Sequence, residues 1–142
     1  MSDAKIVFDH IHVVSEDPEA AASWYADVLG GKVADVVQLR GAPQYRIAFD
    51  GATILVRGQR PGEQPEASIG VRRFADGYVH APQWGADHFG FRVAGDLDKF
   101  CNALKKKGAT FSVEPHEFLP GVRIAYVRAP DGVDIELVQA NQ

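Results

Sequence analysis

Two short stretches decide how this chain is read: Phe8-Asp9-His10-Ile11 and Ala86-Asp87-His88-Phe89, which set an Asp-His pair before an apolar residue at an offset of 78. Other matches follow outward from them. Gly31 answers Gly108, and Arg46-Ile47-Ala48-Phe49 answers Arg123-Ile124-Ala125-Tyr126, both at an offset of 77. Thr53-Ile54-Leu55-Val56 answers Asp134-Ile135-Glu136-Leu137 at an offset of 81, because the second hairpin turn is longer. Four matches in one order at a near-constant offset indicate an internal duplication. Such a repeat governs the fold before any single residue does.

Each half has the same order of elements. Ile6 to Val14 is rich in β-branched residues and reads as a strand. Ser15-Glu16-Asp17-Pro18 supplies a cap and an early proline for a helix in which Ala20, Ala21, Trp24, Tyr25, Val28 and Leu29 recur at helical spacing, closed by Gly30-Gly31. Strands follow over Lys32 to Leu39, Tyr45 to Asp50 and Thr53 to Arg57, with Asp50-Gly51 as a hairpin turn. The second half offers a strand over Asp87 to Val93 and a helix over Asp96 to Lys107. Strands over Thr110 to Glu114, Gly121 to Arg128 and Val133 to Gln139 complete it. The stretch between the halves holds three prolines and reads as a connection, with one strand expected near Ile69 to Arg73. The chain is thus expected to form one domain over 1–142: module one at 5–58, the connection at 59–85 and module two at 86–139.

Composition narrows the function. Apolar residues make up 46% and charged residues 24%, as in an ordinary globular protein. The net charge of −4 disfavours a nucleic-acid partner, which calls for a basic face. The run Lys105-Lys106-Lys107 falls at an expected helix end, where it complements the helix dipole. The opening MSDAKIVFDH lacks the apolar core of a secretory signal, and no apolar run has membrane-span length, so a cytoplasmic protein without membrane contact is expected. The single cysteine, Cys101, excludes an internal disulfide and reads as a buried structural thiol.

The stretches FDHIHVVSEDPEAAASWYADVLGGKV, ADHFGFRV and PDGVDIELVQ resemble the vicinal oxygen chelate superfamily. That superfamily includes glyoxalase I, methylmalonyl-CoA epimerase, extradiol dioxygenases and bleomycin-resistance proteins. The resemblance implies an α+β fold in which two βαβββ modules form a cupped, barrel-like mixed sheet with helices outside. It also implies one divalent metal ion inside the cup, a small-molecule substrate and often a homodimer.

The metal ligands expected on this basis are His10, His88 and Glu136. Two histidines at repeat-equivalent places and one carboxylate in an otherwise apolar strand match the two-histidine-one-carboxylate pattern, and a buried carboxylate is costly unless it is paired or bound to metal. Iron, zinc, manganese, nickel and cobalt all suit such a set. In the glyoxalase and epimerase branches the position of Leu55 supplies a fourth ligand, so this chain departs from them there. His12, two residues from His10, shares its strand face and is a candidate base. Tyr126 lies ten residues before Glu136, a spacing similar to the extradiol signature, although its apparent counterpart Phe49 reads as a core aromatic. Arg92, on the face of His88, and Arg123, matched to Arg46, are candidate substrate-binding residues. Trp84 and Tyr78 are candidates to cover the site or to pad a dimer contact.

Three functions fit these expectations. The first is a glyoxalase- or epimerase-like lyase or isomerase that binds a substrate through two adjacent oxygens. The second is an iron(II) extradiol-type dioxygenase. The third is a resistance protein that sequesters a ligand without chemistry.

Overall fold

The computed structural model describes residues 4–66 and 84–140. The chain divides into two compact units, Met1–Pro65 and Glu66–Gln142. The strand expected near Ile69 to Arg73 and the residue Tyr78 lie outside the described residues.

Unit one holds β1 (Ile11–Val14), α1 (Pro18–Asp27), β2 (Lys32–Leu39), β3 (Ala42–Phe49) and β4 (Ala52–Arg57). Unit two holds β5 (Phe89–Arg92), α2 (Leu97–Lys106), β6 (Phe111–Leu119), β7 (Val122–Arg128) and β8 (Asp134–Ala140). Each unit is therefore a βαβββ module with a mixed four-stranded sheet, ordered β1-β4-β3-β2 in one and β5-β8-β7-β6 in the other. The first strand of each pairs in parallel with the last, and the other pairs are antiparallel.

The helices form where the caps predict. Asp17 accepts a hydrogen bond from the Ala20 amide at 3.1 Å, and Asp96 accepts one from the Lys99 amide at 3.1 Å. Beyond each helix, Gly30 and Gly108 take φ of +79° and +92°, a conformation that favours glycine. The repeat partner of Gly108 is thus Gly30 rather than Gly31. Lys105 and Lys106 occupy the last turn of α2, as the dipole argument requires.

Each sheet buries one face under its own helix. In unit one Ile47, Ile54 and Val56 are fully buried along with Tyr25 and Ala21 of α1. In unit two Ala125, Val127, Ile135 and Leu137 are buried along with Leu97, Cys101 and Leu104 of α2. Each large aliphatic side chain so buried contributes roughly 1.5–3 kcal/mol.

Three boundaries differ from expectation, each for a physical reason. β1 begins at Ile11 and not at Ile6, because its one partner among the described residues, β4, begins at Ala52 and pairs Ile54 with Ile11. Ile6, Val7 and Phe8 are exposed. β3 begins at Ala42, three residues early, because Arg40 and Gly41 both take positive φ and turn β2 tightly into it. β6 runs to Leu119, through Pro115, because it is an edge strand, where a missing amide donor is tolerated.

Ladder register also corrects the repeat itself. Ile11 pairs with Ile54, and Phe89 pairs with Ile135. Leu55 then pairs with Arg46, while Glu136 pairs with Tyr126. The structural counterpart of Tyr126 is therefore Arg46, not Phe49, and Arg46 is not the counterpart of Arg123. A bulge verifies the alignment. It falls between Val33 and Asp35, opposite Ile47 and Arg46, and between Phe111 and Val113, opposite Val127 and Tyr126. The likeness of the two Arg-Ile-Ala runs is a coincidence of composition three residues out of step.

Candidate metal centre

The chemistry of unit two gathers at the start of β5. His88 lies one residue before that strand, and Glu136 faces it from β8, where Gly90 is its direct cross-strand partner. His88 Nε2 is 2.8 Å from Glu136 Oε2, and the Tyr126 hydroxyl is 3.4 Å from the same nitrogen. The rings of Tyr126 and His88 meet edge-on, their centroids 5.1 Å apart. Gly90 makes the approach possible: a Cβ there would lie 2.7 Å from the Glu136 carbonyl oxygen and 3.0 Å from its Cβ.

Strand phase explains this convergence. Ile135 and Leu137 point into the helix-covered core, so Glu136 points to the other face. Tyr126 is its cross-strand neighbour and shares that face with Val113 and Ile124, with which it forms an apolar cluster. Arg92, opposite Val138, also projects from the Glu136 face. Arg123 does not. It points to the helix side, where Asp98 of α2 holds it at 3.0 and 2.9 Å. Trp84 is fully exposed.

Asp87 is a residue that sequence reasoning passed over. Its Oδ2 lies 2.7 Å from His88 Nδ1. In unit one Asp9 Oδ2 lies 2.6 Å from His10 Nδ1 in the same way. The signal was in the tetrapeptides that reveal the repeat, which share the aspartate as well as the histidine. A carboxylate on Nδ1 fixes that nitrogen as the donor and leaves the Nε2 lone pair for a metal.

His88 therefore faces a carboxylate at each ring nitrogen. A neutral imidazole has one N–H and can satisfy one of them. A cation between Nε2 and Oε2 satisfies both, and ligand atoms at bond lengths of roughly 2.0–2.2 Å stand about 3 Å apart, close to the spacing present. The donor pair fits a divalent metal. Among the described residues no group of three histidine, cysteine or carboxylate side chains is arranged so as to hold one metal ion. Unit two thus assembles two of the three expected ligands, and His10 belongs to unit one.

In unit one His10 lies just before β1, and its ring stands edge-on to that of His12, with centroids 6.0 Å apart. Burial, then the charges of Arg57, His10 and Arg60, hold His12 below the usual histidine range. Leu55, 6% exposed, occupies the register position of Glu136 and confirms the absence of a carboxylate there. Arg57 is clamped by Glu63 through contacts of 2.6 and 3.1 Å. Glu63 also accepts a hydrogen bond from the Arg60 amide, and the Arg57 contact above all holds its carboxyl at about 2.

Residues 7–137 match the family model described as Glyoxalase/Bleomycin resistance protein/Dioxygenase superfamily. Among solved structures, a glyoxylase/bleomycin resistance protein/dioxygenase domain from Frankia sp. EAN1pec is 22% identical with a TM-score of 0.72, covering 98% of this chain and 95% of its own. A glyoxalase family protein from Bacillus cereus is 19% identical with a TM-score of 0.73, covering 100% and 99%. At such identities the likeness is one of fold. No curated protein matches the chain. No helix among the described residues is long and apolar enough to cross a membrane.

Proposed function

The chain belongs to the Glyoxalase/Bleomycin resistance protein/Dioxygenase superfamily, and from that membership we propose that it is a divalent-metal-dependent lyase or isomerase of glyoxalase or epimerase type. Its substrate is a small molecule that offers the metal two adjacent oxygens. The observation that carries this reading is the convergence of Glu136 Oε2 and the Tyr126 hydroxyl on His88 Nε2.

His88 and Glu136 would hold the ion, with His10 of a first module as third ligand. When bound, the ion supplies Lewis-acid polarisation of the substrate oxygens. Asp87 and Asp9 orient the two imidazoles. The Tyr126 phenol, fixed at the edge of the donor pair, donates a hydrogen bond to the oxygen on which negative charge develops. His12 takes the proton from carbon. Val113, Ile124 and Val138 form an apolar wall around Tyr126 that excludes water. A homodimer in the cytoplasm completes the proposal.

Metal analysis of protein purified without chelators, followed by deuterium exchange on a panel of 2-oxo and 2-hydroxy acids, tests it. Stoichiometric zinc, nickel, cobalt or manganese with exchange lost in Tyr126→Phe supports it. A chain that neither carries nor takes up divalent metal overturns it and leaves ligand sequestration as the account.

Leu55 and the alignment of Tyr126 with Glu136 favour a second reading, an iron(II) ring-cleaving dioxygenase, since three protein ligands leave coordination positions open. Oxygen uptake with catechols in the presence of ferrous iron separates the two. No uptake across a catechol panel removes this one.

A further inference from the structure

Within unit one, Glu63 is held as a bound anion is held. Its Oε1 lies 2.6 Å from Arg57 Nη1 and its Oε2 3.1 Å from Arg57 Nη2, the fork-on-fork geometry in which a guanidinium takes a carboxylate. The Arg60 amide adds a third donor, 2.8 Å from Oε1. The chain folds back on itself to bring the carboxylate to these donors. Gly62 takes a φ of +84°, the Glu63 amide donates to the Arg60 carbonyl at 3.1 Å, and Gln59 Nε2 donates to the Glu63 carbonyl at 2.5 Å.

The donors have anchors that owe nothing to the Glu63 carboxylate. Arg57 closes β4, and its Nη1 also donates to the Gly58 carbonyl at 3.1 Å. The Gly58 amide donates to the Pro43 carbonyl at 3.0 Å, and a Cβ on Gly58 would stand 3.2 Å from Pro18 Cγ. Pro61 packs on the turn between β2 and β3, where a Cβ on Gly41 would lie 2.8 Å from Pro61 Cδ. The acceptor is the accessible partner: the Glu63 side chain is 33% exposed and that of Arg57 only 13%. One donor is also left over. Arg60 Nε is buried and has no hydrogen-bond partner among the described residues, a costly state for an N–H group.

We propose that Arg57 and Arg60 form a receptor for an oxyanion, the phosphate or carboxylate group of a small molecule, and that Glu63 is its internal stand-in. An incoming anion takes the Arg57 fork and the Arg60 amide, and a third oxygen, where the anion has one, serves Arg60 Nε. Glu63 is then displaced, and its own end of the loop is released. The receptor lies wholly in unit one and needs no metal, so it stands apart from the lyase or isomerase reading.

Anion titrations of the full chain, followed by amide exchange and by NMR of the Arg57 guanidinium, test this. E63A empties the receptor, so its loop amides are expected to exchange fast. Inorganic phosphate or acetate is expected to slow the Arg60 amide again, saturably and with a shift of the Arg57 signal. The native chain is expected to respond about tenfold or more weakly, because its own carboxylate competes. E63A/R57M is expected not to respond. Phosphate binding more tightly than acetate makes the ligand a phosphate ester, and the reverse order makes it a carboxylic acid. No saturable response in E63A overturns the proposal. So does an equal response to chloride at matched ionic strength, an affinity that survives in E63A/R57M, or one no weaker in the native chain than in E63A. Should E63A not fold, E63Q, which keeps the side chain's length and sheds its charge, is read in the same way.

Discussion

Gly90 lies directly opposite Glu136 in the parallel ladder of β5 and β8, and its missing side chain is what admits Glu136 to His88. An added Cβ would meet backbone, which cannot rotate away. Gly90→Ala is expected to destabilise the chain by about 1–3 kcal/mol through overpacking. It is also expected to weaken divalent-metal binding, because the strand that presents Glu136 must shift. Thermal unfolding and zinc titration of the variant measure the two effects. An unchanged melting temperature would show that the strands part without cost.

Asp87 and Asp9 should act on the metal through the histidines alone. Asp87→Asn keeps a polar group beside Nδ1 but removes the carboxylate that fixes the ring. Metal affinity is expected to fall about 10–100-fold with little change in melting temperature. Competition against a chromophoric chelator gives the affinity, and nitrogen NMR of the imidazole gives the tautomer. Native affinity with an unaltered tautomer would show that Asp87 does not position His88.

Cys101 is fully buried on the inner side of α2, and burial pushes its thiol up to about 11. A thiol-reactive dye at pH 8 is expected to label the native chain slowly and the unfolded chain at once. The folded form holds this proton more tightly than the unfolded form. The stability it contributes is therefore intact below the thiol's ordinary value near 9 and is lost as pH rises from there to about 11. Cys101→Ser is expected to flatten that alkaline loss, as urea unfolding from pH 8 to 11 would show.

Glu63 gives the opposite slope. Its carboxyl, lowered to about 2 by Arg57, stays ionised in the folded chain below the pH at which the unfolded chain takes up a proton. The clamp on Arg57 is complete above the ordinary value of 4.5 and fails as pH falls toward 2. Amide exchange of residues 59–63 is expected to accelerate across that range, and Glu63→Gln to show fast exchange at neutral pH as well. Exchange that ignores both pH and the substitution would remove the clamp from the account.

The fold was legible in the sequence because its punctuation is local. Asp17, Asp96, Gly30 and Gly108 announce the two helices, and β2 spans Lys32 to Leu39 as its pattern predicts. The edges of β3 and β6 were hidden by Pro43 and Pro115, which count against a strand unless its place in the sheet is known. The site was half legible. The meeting of His88 with Glu136 follows from the repeat and from strand alternation. The sheet faces of Arg46 and Arg123 were not accessible, because two similar four-residue runs suggested one register and the hydrogen-bonded ladders impose another. Which face a strand residue serves is decided by its partners across the sheet, and a shift of three residues exchanges the faces.

The bulge opposite Ile47 and Arg46 in one sheet recurs opposite Val127 and Tyr126 in the other. An irregularity at the same step of both ladders is an inherited scar, and it marks the halves as copies of one ancestral gene segment. The neighbouring row then records what happened after the copying. His12 against Gly90, Leu55 against Glu136 and Arg46 against Tyr126 are three divergences side by side on an otherwise preserved frame. Descent kept the scaffold in duplicate and let the two faces part company, one copy holding a carboxylate and a phenol at the steps where the other holds an aliphatic side chain and a guanidinium.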